Sequence, residues 1–140
     1  MATPGLWLYR LLIAGALPLV VPALAVSDRL RGKQRPPLTD RLARRPPAVA
    51  PGGLWLQAVS VGEVEIARRL LAEMAARGLP PVLLTATTAT GLALARRTAA
   101  DRAIVAPCPL DLPGPLRRVL DAAAPAAVAL VEPELWPEML

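Results

Sequence analysis

The chain has 140 residues, of which 16 are Lys or Arg and 11 Asp or Glu, giving +5 with no histidine and one cysteine, Cys108. That length suits one modest domain. The missing histidine removes His-based metal sites, Ser-His-Asp triads and imidazole general bases. A lone cysteine cannot close an intrachain disulfide, which fits a reducing compartment. Acid–base chemistry therefore falls to carboxylates, with Cys108 and Tyr9 as poor substitutes. The charge is unevenly placed. Residues 1–50 hold eight basic residues against Asp28 and Asp40, a net of +6, whereas residues 51–140 hold eight basic and nine acidic, a net of −1. The basic character belongs to the N-terminal arm, so net charge gives no ground for a nucleic-acid partner.

That arm opens with Trp7, Tyr9 and Arg10. Leu11 to Val26 follows, uncharged and almost wholly apolar, and then seven basic residues fall between Arg29 and Arg45. The sixteen residues from Leu11 to Val26 rise about 24 Å as a helix, against a hydrocarbon core of roughly 30 Å. Extended back to Gly5, with Arg10 snorkelling and the aromatics at the interface, the segment becomes long enough. Pro18 and Pro22 are expected to kink it, which leaves an interfacial or re-entrant anchor beside a full span. Ala23-Leu24-Ala25 has the small-x-small form of a signal cleavage site, but the basic run just downstream resists translocation and favours an uncleaved anchor with the domain in the cytoplasm. The same run attracts anionic membrane lipid at about 1 kcal/mol per residue near the surface, and Pro36-Pro37 and Pro46-Pro47 also suit a solvated linker. The chain thus divides into a hydrophobic membrane anchor (1–27), a basic, proline-rich juxtamembrane linker (28–51) and a folded domain (52–140).

Within that domain, strand-like and helix-like segments alternate. Leu54–Val59 reads as a strand, and Glu63–Arg77 as a helix with Ala67, Leu70, Leu71 and Met74 on one face. Glu65/Arg69 and Glu73/Arg77 have the i, i+4 spacing of ion pairs. Gly78 and Pro80-Pro81 end the helix. Val82–Ala86 is a second strand, and Leu92–Ala100 a helix with Leu94 and Ala95 inward and Arg96 and Arg97 outward. Ala103–Ala106 is a third strand and Pro115–Ala124 a helix with Leu116, Val119 and Leu120 inward. Ala126–Val131 is a fourth strand. Short, continuously apolar strands separated by helices predict an α/β fold, a Rossmann-like half with a parallel sheet covered on both faces. Residues past the fourth strand begin a turn or helix, and the chain reads as a piece of a longer protein.

Ligands of such sheets bind beyond the carboxyl ends of the strands, and two joints fall there. Ala58-Val59-Ser60-Val61-Gly62-Glu63 is a glycine turn that puts Glu63 at a helix start. A carboxylate there suits the positive helix end, and in a crevice it can take a proton from an attacking hydroxyl. Complementing the helix dipole is the competing role. Val131-Glu132-Pro133-Glu134-Leu135-Trp136-Pro137 brings Glu132 and Glu134 to the same edge, again as site groups or as dipole partners, with Trp136 as packing. Thr85, Thr87, Thr88 and Thr90 precede a helix and suit either anion or sugar binding or an N-cap. Asp111 lies in a proline-rich loop and suits a cap or a ligand contact. Cys108 suits a packed thiol. No P-loop, Gly-x-Gly-x-x-Gly or CxxC motif is present.

The motifs Trp55-Leu56-Gln57-Ala58-Val59-Ser60-Val61-Gly62-Glu63, Thr85-Ala86-Thr87-Thr88-Ala89-Thr90-Gly91, Pro109-Leu110-Asp111-Leu112-Pro113 and Glu132-Pro133-Glu134-Leu135-Trp136-Pro137 together resemble the 3-deoxy-D-manno-octulosonic acid (Kdo) transferases. The resemblance covers nearly the whole chain, anchor and basic run included. It implies the N-terminal, acceptor-binding half of an inverting, metal-independent GT-B glycosyltransferase with no cofactor, at the cytoplasmic face of a bacterial inner membrane. It also implies transfer of Kdo from CMP-Kdo to the lipid A precursor. Glu63 matches the family's general base and Glu132 a second acidic residue. Ser60, Gly62, Thr88, Thr90, Gly91, Asp111 and Glu134 are the expected substrate-binding positions. Gln57 stands where the family commonly has a histidine. CMP contacts are expected in a donor domain beyond Leu140. Two rival readings are another membrane-associated GT-B enzyme using a nucleotide sugar, and a non-catalytic, membrane-anchored Rossmann-like binding module.

Overall fold

The computed structural model describes residues 4–30, 36–80, 82–132, 137 and 139. In chain order its elements are α1 (Pro4–Leu30), α2 (Leu38–Arg41), β1 (Leu54–Ala58), α3 (Val61–Ala76), β2 (Val82–Ala86), α4 (Ala89–Thr98), β3 (Ala103–Pro107), α5 (Pro113–Ala123) and β4 (Ala127–Leu130). The expected strands and helices of the domain are all present, their ends moved by at most three residues.

The four strands are parallel and ordered β3-β2-β1-β4. Strands alternate faces with a period of two, and the packing follows it. Leu56, Ala58, Leu84 and Ala86 meet Val64, Ala67 and Leu71 of α3 and Leu92 and Ala95 of α4. On the opposite face Trp55, Leu83 and Ala106 meet Leu116, Val119 and Ala123 of α5. Crossovers between parallel strands are almost always right-handed, so reversing the direction of travel moves the crossover helix to the other face. The chain steps outward from β1 to β3 under α3 and α4, then returns under α5 to set β4 beside β1. The carboxyl ends of β1 and β4 therefore flank the switch point, where open α/β sheets bind ligands.

Two helix faces differ from expectation. Leu70 and Leu120 are 43% and 39% exposed. The buried stripe of α3 is Val64, Ala67 and Leu71, and that of α5 is Leu116, Val119 and Ala123. Each exposed leucine stands one residue, about 100°, around the helix from a buried neighbour. Glu65 also pairs with Arg68, at 2.9 Å, instead of Arg69. Both partners are about 40% exposed, so the pair contributes little. Glu73 and Arg77 do pair, at 3.9 Å and in open solvent.

The basic segment after α1 is more than a solvated spacer. Ala43 is buried in the Trp55 cluster, and Val49 packs against it. Helix α2 is tied to the β3–α5 loop by both main chain and side chain: Leu110 N–H donates to Arg41 O at 2.8 Å, and Arg41 Nε donates to Cys108 O at 3.1 Å. Arg118 Nη1 donates to Leu42 O at 2.9 Å.

Helix α1 runs through Pro18 and Pro22 and leaves Trp7, Leu8, Leu11, Leu12, Leu19 and Val26 exposed. Among the described residues no helix is long and apolar enough to cross a membrane. Arg10 stacks 5.5 Å from the centre of the Trp7 ring, a cation–π contact. Tyr9, expected at an interface, instead donates its phenol to Asp111 Oδ2 at 2.7 Å.

Helix α5 closes at Ala124 with φ +36°, its N–H returning to Leu120 O at 2.7 Å. This left-handed region costs an L-residue about 1–2 kcal/mol, while glycine adds roughly 0.4–1 kcal/mol of unfolded-chain entropy. Ala124→Gly is expected to stabilise the fold by up to about 1 kcal/mol in urea denaturation. A drop in the midpoint would contradict the reading of this terminus.

Candidate functional site

The β1–α3 joint is a closed knot of hydrogen bonds. Ser60 occupies the N-cap in an extended conformation, and Val64 N–H donates to Ser60 O at 3.0 Å to start the helix. The Ser60 hydroxyl makes no bond to a helix N–H. It donates instead to Glu63 Oε1 at 3.0 Å, and Val59 N–H donates to Glu63 Oε2 at 2.6 Å. Glu63 thus reaches back as in a capping box, but clamps the residue before the cap. The residue is only 6% exposed. Two oxygens offer about four acceptor directions, so two remain after these bonds. A Cβ built on Gly62 meets nothing within 4 Å, so packing does not demand glycine there.

The β2–α4 joint leans on the first. Thr88 N–H donates to Val59 O at 3.0 Å, and Thr88 Oγ1 caps α4 by accepting from Gly91 N–H at 3.1 Å. Thr90 Oγ1 donates to Thr88 Oγ1 at 3.4 Å. A Cβ on Gly91 would stand 2.9 Å from Thr88 Oγ1 and 3.2 Å from the Ser60 carbonyl carbon. Gly91 therefore permits the close approach of the two turns. Behind them lies a buried polar row that the sequence reading left out as a unit. Trp55 Nε1 donates to Thr85 Oγ1 at 2.8 Å, the Thr85 hydroxyl donates to Gln57 Oε1, and Gln57 Nε2 donates to Thr87 Oγ1 at 3.0 Å. Its only trace in the sequence is polar residues in otherwise apolar strands.

Across the switch point, Val131 N–H donates to Gln57 O at 3.0 Å, and Glu132 follows, exposed. Ser60, Gly62, Glu63, Thr88 and Gly91 are thus brought together at β1 and β2, with Glu132 on the β4 side. Asp111 lies apart on the β3 side. It does not cap α5, whose N-cap is Leu112, but accepts from Tyr9. Glu134 and Trp136 lie outside the described residues. Cys108 is a packed thiol whose S–H points at Pro109 O, 3.4 Å away. A separate cleft of about 330 Å³ opens at the outer edge of β3, lined by Asp40, Arg45, Arg96, Ile104 and Val119 among others. It lies between the docked linker and β3, with Thr85 of β2, Arg96 of α4 and Val119 of α5 also in its lining, and it holds neither Glu63 nor Glu132.

A doubly wound, parallel α/β unit with carboxylates at its switch point is the class that fold and site define. The family model described as 3-deoxy-D-manno-octulosonic-acid transferase (kdotransferase) matches residues 28–140, and the chain belongs to that family. It is 38% identical to the 3-deoxy-D-manno-octulosonic acid transferase of Bordetella pertussis, over 97% of this chain and 34% of that protein. The corresponding transferase of Haemophilus influenzae is 29% identical over 95% of this chain and 33% of its own length. The chain spans about a third of the length of these curated relatives.

Gly91→Ala is expected to destabilise the fold by about 1–3 kcal/mol, because the new methyl meets backbone that belongs to the neighbouring turn. Equilibrium denaturation measures this, and an unchanged midpoint would contradict the close approach. Tyr9→Phe removes the phenol donor to Asp111 and is expected to speed proteolytic cleavage between α1 and α2. Equal cleavage rates would show that the bond does not hold α1.

Proposed function

We propose that the protein carrying this chain transfers Kdo from CMP-Kdo to the lipid A precursor, lipid IVA, in lipopolysaccharide core biosynthesis. This chain supplies the acceptor-binding half of a GT-B enzyme. The observation that carries the reading is Glu63, a buried carboxylate with free acceptor directions at the switch point, in a chain of this family. An acceptor hydroxyl attacks the anomeric carbon of Kdo on the face opposite the phosphate. The new C–O bond forms as the bond to the CMP oxygen breaks, which inverts the centre, and the hydroxyl proton passes to Glu63. The bonds from Val59 and Ser60 hold the carboxylate still while this happens, which supports positioning as much as basicity. Glu132 on the β4 side orients the acceptor or supports the base. CMP contacts belong to a donor domain, in the part of the relatives' length that this chain does not span.

The proposed location is the cytoplasmic face of the bacterial inner membrane. The exposed Trp7, Leu8, Leu11, Leu12 and Leu19 of α1 support an apolar hold on the bilayer. The basic run from Arg29 to Arg45 supports attraction to anionic lipid and to a phosphorylated acceptor. A second reading, a binding module without chemistry, is favoured by one observation: both Glu63 oxygens are already engaged by their own turn.

Glu63→Gln separates the two. Its amide oxygen still accepts from Val59 N–H and its NH₂ still donates to a Ser60 hydroxyl that turns around, so stability should fall by less than about 1 kcal/mol. Transfer from CMP-Kdo to tetra-acylated lipid A precursor, read by mass spectrometry of the lipid, is expected to fall by about 10²–10⁴-fold. Unchanged transfer would remove Glu63 as base. Lipid binding with no transfer by the wild-type protein would favour the binding module.

A further inference from the structure

The polar row behind the two turns has a fixed proton direction. The indole of Trp55 can only donate, so Thr85 Oγ1 receives, at 2.8 Å. The single Thr85 proton then goes to Gln57 Oε1. That sets the amide, whose two Nε2 protons go to Ala58 O and Thr87 Oγ1, each at 3.0 Å. Turning the amide over would press its oxygen against the Ala58 carbonyl with no proton between them, and would leave the Thr85 proton without an acceptor. Trp55, Thr85 and Gln57 are at most 2% exposed, so no solvent competes for this order. Thr87, half-buried just past the end of β2, is where the row comes out. Its oxygen is a receiver from Gln57, and its own proton meets no acceptor among the described residues.

We propose that Thr87 is a substrate-binding residue that offers this proton to an anionic ligand oxygen at the switch-point crevice, with Gln57 as the positioning residue that aims it. This deepens the transferase reading and rests on it. The bond from Gln57 takes one of the two acceptor directions of Thr87 Oγ1 and leaves its proton to give, and a ligand atom that can only accept is the one that depends on that proton. Carboxylate and phosphate oxygens are such atoms, and a charge-assisted bond to them is roughly twice as strong as a neutral one. The proposed reaction contains both: the acid group of Kdo and the CMP phosphate on the donor, and phosphate on the acceptor.

The test uses the full-length protein, Thr87→Val, Thr87→Ser and Gln57→Glu, with steady-state kinetics in each substrate. Thr87→Val keeps the shape and loses the proton. KM for one substrate is expected to rise roughly 10- to 100-fold, with kcat nearly unchanged, and Thr87→Ser should restore most of it. A rise for CMP-Kdo alone assigns an anionic group of the donor, and a rise for the lipid acceptor alone assigns the acceptor phosphate. Gln57→Glu offers acceptors where the amide donated, so it draws the Thr87 proton inward and is expected to give the same KM effect with Thr87 intact. Valine and serine variants that both match wild type in both KM values overturn the proposal. Absence of transfer by the wild-type protein defeats the reaction instead. Calorimetric titration with the lipid acceptor then decides Thr87: tenfold weaker binding by Thr87→Val supports it, and equal binding, or none by either, overturns it.

Discussion

The carboxyl end of β1 is where the constraints of this molecule meet. Four main-chain groups there have named partners, three of them on neighbouring elements: Val131 on Gln57 O, Glu63 on Val59 N–H and Thr88 on Val59 O, with the Gln57 side-chain amide of the same strand on Ala58 O. Backbone polar groups buried away from water must be paired, so these bonds fix the three neighbouring loops to one another. The turn into α3, the turn into α4 and the exit from β4 are thus held by the strand they surround. Gly91 is part of the same constraint, because its missing side chain is what lets α4 start against Ser60.

That arrangement gives Glu63 a structural role that is compatible with the role proposed for it. The carboxylate closes the turn through one bond on each oxygen, and the bonds leave it oriented with acceptor capacity to spare. A side chain that must hold a proton from a substrate hydroxyl works best when its geometry is set before the substrate arrives. The switch-point topology brings Glu132, at the exit of β4, to the same edge of the sheet. The cleft at the β3 edge is lined by Asp40, Arg45 and Arg96 but holds neither Glu63 nor Glu132.

Much of this was legible in the sequence, for physical reasons. Short apolar runs alternating with helical periods set the layers, and the glycine turn before Glu63 marked the strand–helix joint. The phase of α3 and α5 was harder. Leu70 beside Leu71, and Leu120 beside Val119, give two adjacent apolar candidates, and only the packed sheet decides which one turns inward. The docking of residues 41–49 left almost no pattern, since one buried alanine, Ala43, has no periodicity. Gln57, Thr85 and Thr87 read as isolated polar residues, because their connection runs between strands some 28–30 residues apart. The Tyr9–Asp111 bond spans 102 residues and gave no local signal at all.

Binding of substrate at the β1–β4 switch point is open to hydrogen–deuterium exchange of the full-length protein, with and without the tetra-acylated lipid A precursor. Substrate at that point slows exchange in peptides covering residues 57–64, 87–91 and 130–132. Protection confined to residues 40–47 and 103–107, around the β3-edge cleft, would contradict it.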